Sequence, residues 1–221
     1  MTKAIFFDLD GTLLDTLPDI HENLNGALSA YGYPCVDIDD TRAYIGQGAE
    51  QLVARALPKG AQDIAHCVAH FRKHYAACAN AHTRPYAGAR EFLIKAKAMG
   101  FKLAVVTNKS EDATQRAIAQ FFPDIFDFAE GSSGAFPCKP DPALARYAAL
   151  SLRVAPADCV FVGDGETDVL TAKNAGMRSV AVLWGYRTRE QLEGAGARCF
   201  VGSYGELQKL LLDEENFPHT T

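Results

Sequence analysis

The sequence predicts an α/β fold: a doubly wound parallel sheet, with a Rossmann-like core, and an inserted small all-helical cap domain. Three observations support this prediction. Short, continuous apolar runs, typical of strands buried on both faces, recur along the chain. Helical patterns of apolar residues separate these runs, as they do in βαβ units. One long stretch near the N-terminus contains helical patterns and no convincing strand.

Local signals predict each element of the sheet domain. The predicted strands are the apolar runs 4–7, 103–106, 159–162, 179–183 and, more weakly, 199–201. The predicted helices cover about 89–96, 113–121, 141–150, 166–175 and 203–211. Asp141-Pro142 is typical of a helix N-cap followed by a first-turn proline. Gly176 is expected to end the helix that begins near Glu166.

The predicted domain organisation follows from where the helical stretch lies. Residues 15–83 are predicted to form the cap, inserted after the first strand, and residues 1–14 with 84–221 the α/β core. Within the cap, helical spacing covers about 20–31, 52–57 and 64–78. The last of these has a broad apolar stripe that begins at Ile64.

Composition excludes several classes of protein. Of the 221 residues, 48% are hydrophobic and 22% charged, which is not the composition of a disordered chain. The net charge of −5 argues against nonspecific nucleic-acid binding, and no apolar run approaches a membrane span. The first apolar run is too short for a signal peptide, and the six cysteines form no CxxC pair. We therefore expect a cytoplasmic protein with reduced thiols.

Polar residues follow three of the predicted strands, and a lysine precedes a predicted helix. These residues are Asp8, Asp10 and Gly11; Thr107 and Asn108; Asp164 and Asp168; and Lys139. Because ligands bind outside the carboxyl ends of the strands in open α/β sheets, we expect these residues to meet at one edge.

The predicted cluster has more acids than bases, which indicates a bound cation. Carboxylates without enough positive charge repel one another in a partly dry cleft, and oxygen ligands favour Mg²⁺ over zinc. Gly11 permits close approach of an anion to the backbone. Thr107 and the amide of Asn108 can donate hydrogen bonds to phosphate oxygens, and Lys139 supplies a point charge. The sequence therefore predicts a site for Mg²⁺ and a phosphate group.

Four ordered motifs resemble those of the haloacid dehalogenase superfamily. Segment 8–16, with the sequence DLDGTLLDT, is similar to its first motif. Thr107, Lys139 and the pair Asp164 and Asp168 resemble its second, third and fourth motifs. The helical insertion matches the position of its type-1 cap, so the resemblance covers nearly the whole chain. Gly165 departs from the pattern, because the fourth motif usually has serine there.

The resemblance implies roles for the motif residues. An acid at Asp10 is typical of the phosphatases and phosphomutases of the superfamily rather than its dehalogenases and phosphonatases. Asp8 would attack phosphorus to form an aspartyl-phosphate, and Asp10 would act as general acid and base. The implied Mg²⁺ ligands are Asp8, Asp164 and the backbone carbonyl of Asp10. Thr107 and Lys139 would hold phosphoryl oxygens, and Asp168 would orient Lys139 or a metal-bound water.

Within the superfamily, five short stretches look like phosphoglycolate phosphatase. They are 85–88, 103–109, 139–142, 172–176 and 184–186. The resemblance implies a small phosphorylated metabolite as partner, with 2-phosphoglycolate as the leading substrate. A β-phosphoglucomutase-type phosphomutase, a pyrophosphatase or nucleotide phosphatase, and a phosphate-binding regulatory protein remain alternatives. The choice between monomer and dimer is also open.

Five residues of the predicted cap are candidates for substrate recognition. His21 lies close in sequence to the first motif, and Gly46 and Gly48 flank a helix start whose amides can meet an anion. Arg42 and Arg55 are candidate partners for a substrate carboxylate.

Overall fold

A parallel sheet of six strands forms the centre of the molecule. The computed structural model describes the backbone of residues 2–212 and the side chains of residues 2–211. Its strands are β1 (Ala4–Phe7), β2 (Leu14–Asp15), β3 (Arg84–Pro85), β4 (Lys102–Ser110), β5 (Phe128–Ser132), β6 (Cys159–Gly163), β7 (Arg178–Val182) and β8 (Phe200–Val201). The sheet has the order β5-β4-β1-β6-β7-β8, and β2 pairs with β3 in a separate antiparallel ribbon.

Helices cover both faces of the sheet and form the stretch between β2 and β3. They are α1 (Leu17–Ala30), α2 (Ile38–Tyr44), α3 (Gly48–Ala56), α4 (Ile64–Ala77), α5 (Ala89–Ala98), α6 (Glu111–Phe121), α7 (Ala143–Ser151), α8 (Glu166–Ala175), α9 (Arg189–Gly194) and α10 (Tyr204–Leu212). Within residues 2–212, no helix is both long and apolar enough to cross a membrane.

Alternation along β1 explains the layered core. Ile5 and Phe7 belong to a buried cluster that includes Phe92 of α5 and Leu207 of α10. Their neighbours in β1, such as Phe6, belong to the cluster on the opposite face with α7 and α8. Because successive side chains of a strand point to opposite faces, a fully apolar strand joins both layers. The predicted doubly wound α/β fold is confirmed.

Helices α1 to α4 form a helical segment with its own core. Its cluster contains Leu24 and Leu28 of α1, Val53 of α3, and Cys67 and Phe71 of α4. The chain enters and leaves this segment through the β2–β3 ribbon. We propose that residues 15–83 form a cap domain on a core of residues 1–14 and 84–221, of which residue 1 and residues 213–221 lie outside the described part.

Two details differ from the sequence prediction. Strand β5 has the mixed sequence FAEGS and lies at the sheet edge, where its residues are mostly half-buried, so it shows no apolar run. Ile64, predicted to begin the buried stripe of α4, is 42% exposed, because the buried stripe begins at Cys67.

Candidate active site

Three adjacent strands bring the predicted motif residues together. Asp8 directly follows β1, Thr107 and Asn108 lie near the end of β4, and Asp164 directly follows β6. Since β4, β1 and β6 are neighbours in the sheet, their carboxyl ends meet at one edge. Asp8 is fixed there by a hydrogen bond from its amide to the carbonyl of Val162, at 3.0 Å.

Lys139 joins two of these carboxylates. Its Nζ lies 2.9 Å from Oδ1 of Asp8 and 2.6 Å from Oδ1 of Asp168. Asn108 fixes the lysine backbone, because its side chain accepts from the Lys139 amide at 2.7 Å and donates to the Lys139 carbonyl at 3.1 Å. Burial alone would lower the pKa of Lys139, but the carboxylates of Asp168 and Asp8 outweigh it and raise the pKa. The lysine is therefore a permanent cation in the site.

Asp8, Asp164 and Asp168 form a buried acidic cluster. Each offers a carboxylate oxygen, and these oxygens lie within 4.8 Å of one another. Burial, and then the charges of Asp168 and Asp8, raise the pKa of Asp164 to about 8. Burial likewise raises the pKa of Asp168, although Lys139 opposes this effect. One lysine does not balance three acids, so the cluster has the charge and the all-oxygen donor set that suit Mg²⁺.

Two glycines shape the position of Asp164. Its carboxylate accepts hydrogen bonds from the hydroxyl of Thr12 and the amide of Tyr186, both at 2.9 Å. A Cβ added to Gly11, which has φ +81°, would lie 2.3 Å from Oδ2 of Asp164. A Cβ added to Gly185 would lie 2.2 Å from the Cβ of Asp164. Glycine is therefore required on both sides of this carboxylate.

Gly165, where the related motif has serine, still supports the cluster. Its amide donates to Oδ2 of Asp168 at 2.9 Å, while Oδ1 of Asp168 receives Lys139. Asp168 is therefore held by the backbone at one oxygen and orients the lysine with the other.

A second lysine, Lys109, pairs with Asp10. Its Nζ lies 2.8 Å and 3.2 Å from the two carboxylate oxygens of Asp10 and 2.7 Å from the hydroxyl of Tyr75 on α4. The Asp10 side chain is thus engaged outside the acidic cluster. We infer that its backbone carbonyl, and not its carboxylate, is the predicted metal ligand.

A cavity of about 820 Å³ lies over this edge of the sheet. Asp8, Asp10 and Lys109 line it from the sheet side. The helical segment contributes Gly46, Gly48, Phe71 and Tyr75. The cavity therefore joins the motif residues to the segment that we propose as the cap.

The structure does not bring three predicted cap residues to this cavity. Nδ1 of His21 lies 2.9 Å from the hydroxyl of Thr41, in a contact between α1 and α2. Arg42 forms an exposed ion pair with Asp39, one turn earlier in α2. Arg55 donates to the side chain of Gln47 at 2.8 Å. Gly46 and Gly48 line the cavity, and their contact with a substrate stays a prediction.

Sequence reasoning missed Lys109, Tyr75 and Arg187. Arg187 pairs with Glu166 at 3.0 Å and donates to backbone carbonyls of the helical segment, including that of Arg42 at 2.9 Å. A signal for Arg187 was present, because residues 184–187 follow a predicted parallel strand. Lys109 follows Thr107 and Asn108 in the same way. Tyr75 had no signal beyond its place in an apolar stripe.

Comparison with known proteins decides the family. The model of the haloacid dehalogenase-like hydrolase family matches residues 5–182. The chain belongs to this family. It is 32% identical over 223 residues to a phosphoglycolate phosphatase of Vibrio parahaemolyticus, covering 95% of this chain and 96% of the relative. It is 35% identical over 189 residues to that of Xanthomonas campestris, covering 84% and 85%.

Solved structures show the same fold over most of the chain. A predicted phosphoglycolate phosphatase from Haemophilus somnus has a TM-score of 0.87 and 28% identity, covering 95% of this chain and 97% of the other. CbbY from Rhodobacter sphaeroides, solved with xylulose-1,5-bisphosphate, has a TM-score of 0.79 and 27% identity, covering 94% and 96%. This haloacid dehalogenase-like hydrolase is therefore a phosphatase of the phosphoglycolate phosphatase-like branch.

Proposed function

We propose that this phosphatase hydrolyses small phosphate monoesters, 2-phosphoglycolate first among them, through an aspartyl-phosphate on Asp8. The arrangement of Asp8 carries the proposal. Its Oδ1 is held by the amide of Leu9 at 2.7 Å and by Lys139, whereas Oδ2 has no hydrogen-bond partner among the described residues. One oxygen is thus fixed and the other is free to attack, which is the arrangement that a nucleophilic carboxylate needs.

The first chemical step transfers the phosphoryl group to the protein. A carboxylate oxygen of Asp8 forms a bond to phosphorus while the bond from phosphorus to the ester oxygen breaks. Asp10 gives a proton to the departing oxygen, so the product leaves as an alcohol. Thr107 and Lys139 hold the phosphoryl oxygens as the negative charge shifts.

The second step restores Asp8. Water attacks phosphorus, Asp10 accepts the proton of the water, and the bond between phosphorus and the Asp8 oxygen breaks. The Asp10 carboxylate that accepts this proton lies 2.8 Å from Nζ of Lys109. Mg²⁺, held by Asp8, Asp164 and the carbonyl of Asp10, would offset the charge of the phosphoryl group.

The test is phosphate release from a panel of esters, each with Mg²⁺ and with a chelator. The panel contains 2-phosphoglycolate, sugar phosphates, nucleotides and pyrophosphate. We expect metal-dependent release, fastest from 2-phosphoglycolate, and none from the Asp8→Asn variant. Equal release from this variant would contradict the role of Asp8, and retention of the phosphoryl group on a sugar product would indicate a phosphomutase.

A sugar bisphosphate is a second candidate substrate, because the cavity is large. Its volume of about 820 Å³ is in the range that accommodates ligands much bigger than glycolate. The CbbY structure of similar fold holds xylulose-1,5-bisphosphate. Faster release from this ester than from 2-phosphoglycolate in the same panel would favour the second candidate.

A further inference from the structure

Lys109 is a buried cation at the wall of the cavity. Its side chain is only 4% exposed, yet it lines the cavity beside Asp10. The lysine has two partners. Asp10 belongs to the sheet domain, and Tyr75 belongs to α4 of the helical segment. The lysine therefore lies where the two parts of the site meet.

The other cations of the cavity wall are less suited to bind a substrate anion. Among the described lining residues, Arg72 and Arg116 are exposed, and Arg72 already pairs with Glu50. The guanidinium of Arg187 is occupied by Glu166 and by backbone carbonyls of the helical segment. A buried lysine has already lost its hydration shell on folding. The electrostatic attraction between this lysine and a bound anion is therefore stronger than that at an exposed arginine.

We propose that Lys109 is a specificity-determining residue that binds a second anionic group of the substrate, adjacent to the ester oxygen, and that Tyr75 positions it. This inference rests on the proposed function and narrows its substrate class to phosphorylated 2-hydroxy acids. Tyr75 lies outside the motif stretches that the sequence singled out, and Lys109 appears there only as the last residue of the stretch 103–109, with no role assigned.

Geometry limits where the second anionic group can lie. In the proposed mechanism the ester oxygen lies against Asp10, whose carboxylate is 2.8 Å from Nζ of Lys109. A carboxylate whose carbon is two bonds from that oxygen is brought beside the same ammonium. The second phosphate of a sugar bisphosphate lies many bonds from the ester oxygen, so the same constraint does not place it beside Lys109.

The ammonium has the capacity for this extra contact. It carries three N–H bonds, and its two shortest contacts are to Oδ1 of Asp10 and to the hydroxyl of Tyr75. The contact to Oδ2 of Asp10, at 3.2 Å, is the longest of the set. A substrate carboxylate would take the place of this weakest contact without removing the other two.

Tyr75 holds the lysine without neutralising it. Its hydroxyl accepts a hydrogen bond from Nζ, and Nζ lies 4.6 Å from the centre of its ring. The ring stacks on Phe71 with centroids 5.4 Å apart, which fixes its position on α4. Burial raises the pKa of Tyr75 to about 12, so the hydroxyl stays protonated at neutral pH. The lysine charge is thus retained for a ligand.

The experiment compares two esters that differ in one charge. These are 2-phosphoglycolate and 2-hydroxyethyl phosphate, in which a neutral hydroxymethyl group replaces the carboxylate. The measured quantity is the ratio of their kcat/KM values in the wild type and in Lys109→Met, Lys109→Gln, Tyr75→Phe and Arg72→Met. Thermal unfolding is recorded for each variant, and Lys109→Gln keeps the test valid if Lys109→Met does not fold.

The wild type is expected to prefer 2-phosphoglycolate. Loss of a charged hydrogen bond predicts that either Lys109 variant lowers the ratio by at least about tenfold. Tyr75→Phe is expected to lower it by about threefold, through a higher KM for 2-phosphoglycolate. Arg72→Met, which removes another cavity cation, is expected to leave the ratio within about twofold of the wild type.

Four results would overturn the inference. The Lys109 variants could slow both esters equally, which would mean that Lys109 serves only Asp10 or the fold. Arg72→Met could change the ratio as much as the Lys109 variants do, which would indicate a general charge effect. The wild type could also prefer the neutral ester, in which case the inference fails while the proposed phosphatase function stands. Hydrolysis of neither ester would instead contradict the proposed substrate and this inference with it.

Discussion

Asp164 is the carboxylate of the acidic cluster whose pKa is raised most. It is buried, accepts hydrogen bonds from Thr12 and Tyr186, and lies near two other carboxylates. Burial, with the neighbouring charges of Asp168 and Asp8, raises its pKa to about 8 from an ordinary value of 3.8. The cost of ionising this group in the folded state links stability to pH and to cation binding.

The first prediction concerns this link in the metal-free protein. Between pH of about 4 and about 8, the folded state holds a proton on Asp164 that the unfolded state has lost. The free energy of unfolding therefore falls as pH rises through this range, relative to that of Asp164→Asn. Thermal unfolding at several pH values measures it, with Asp124→Asn as a control because Asp124 is exposed. Parallel profiles for the wild type and Asp164→Asn would contradict the prediction.

Mg²⁺ provides a second prediction at the same residue. A cation requires the ionised carboxylate, so added Mg²⁺ should raise the melting temperature of the wild type most at high pH. Asp164→Asn should show a smaller rise, and Asp124→Asn the same rise as the wild type. A rise that is equal in all three proteins would place the cation elsewhere.

At the scale of residues, the sequence was informative for residues that both follow a predicted strand and belong to a motif. Asp8, Lys139 and Asp164 were predicted together, and the structure brings them within contact distance of one another or of shared partners. The prediction set the carboxylates against Lys139 alone, whereas Asp10 pairs with Lys109. Lys109 lies near the end of β4, but its partner Tyr75 comes from α4. No local pattern encodes such a contact.

At the scale of elements, one carboxylate joins the beginning of the helical segment to its end. Asp19 of α1 is 1% exposed and accepts from the amides of His82 and Thr83, at 3.0 Å and 2.8 Å. It also accepts from the hydroxyl of Thr83 at 2.6 Å. The start of α1 is therefore joined to the residues just before β3.

The third prediction concerns a substitution that removes this connection. Asp19→Ala leaves buried donors without an acceptor, so the free energy of unfolding should fall by about 2–4 kcal/mol. Urea denaturation measures the change. Glu22→Ala, on the next turn of α1, is the matched control, because Glu22 is 72% exposed and should change stability by less than about 0.5 kcal/mol. Equal effects of the two substitutions would show that Asp19 is not a structural anchor.

Elements were predictable where burial is complete. β1 and β6 are buried along their whole length and were found as apolar runs. β5 was missed because an edge strand contacts the sheet on one side and tolerates Glu130 and Gly131. The ribbon of β2 and β3 was missed because two residues per strand give no periodicity.

At the scale of the whole molecule, Arg187 joins the sheet domain to the helical segment. It follows β7, pairs with Glu166 at the start of α8, and donates to the carbonyls of Arg42 and Ile45. These carbonyls lie at the end of α2, directly before the Gly46–Gly48 loop of the cavity wall. Three helices of this segment were predicted from sequence, but this junction was not, because backbone carbonyls carry no sequence signature.

The fourth prediction tests this junction. Arg187→Met should loosen the loop at 46–48 and raise KM for the phosphate ester by about tenfold, with a smaller effect on kcat. Steady-state kinetics measure both constants. Arg189→Met is the control, since Arg189 is 48% exposed. Its ion pair in the described part of the chain is with Glu193 of the same helix. An unchanged KM in Arg187→Met would contradict a role of the junction in substrate binding.

The proposed mechanism requires that Asp8 carries the phosphoryl group during the reaction. Its most direct test is acid quenching of the protein shortly after mixing with 2-phosphoglycolate and Mg²⁺, followed by mass spectrometry of the peptide that contains Asp8. We expect a fraction of this peptide to gain the mass of one phosphoryl group in the wild type, and none to do so in Asp8→Asn. Phosphate release without a phosphorylated peptide, or release that persists in Asp8→Asn, would contradict the claim.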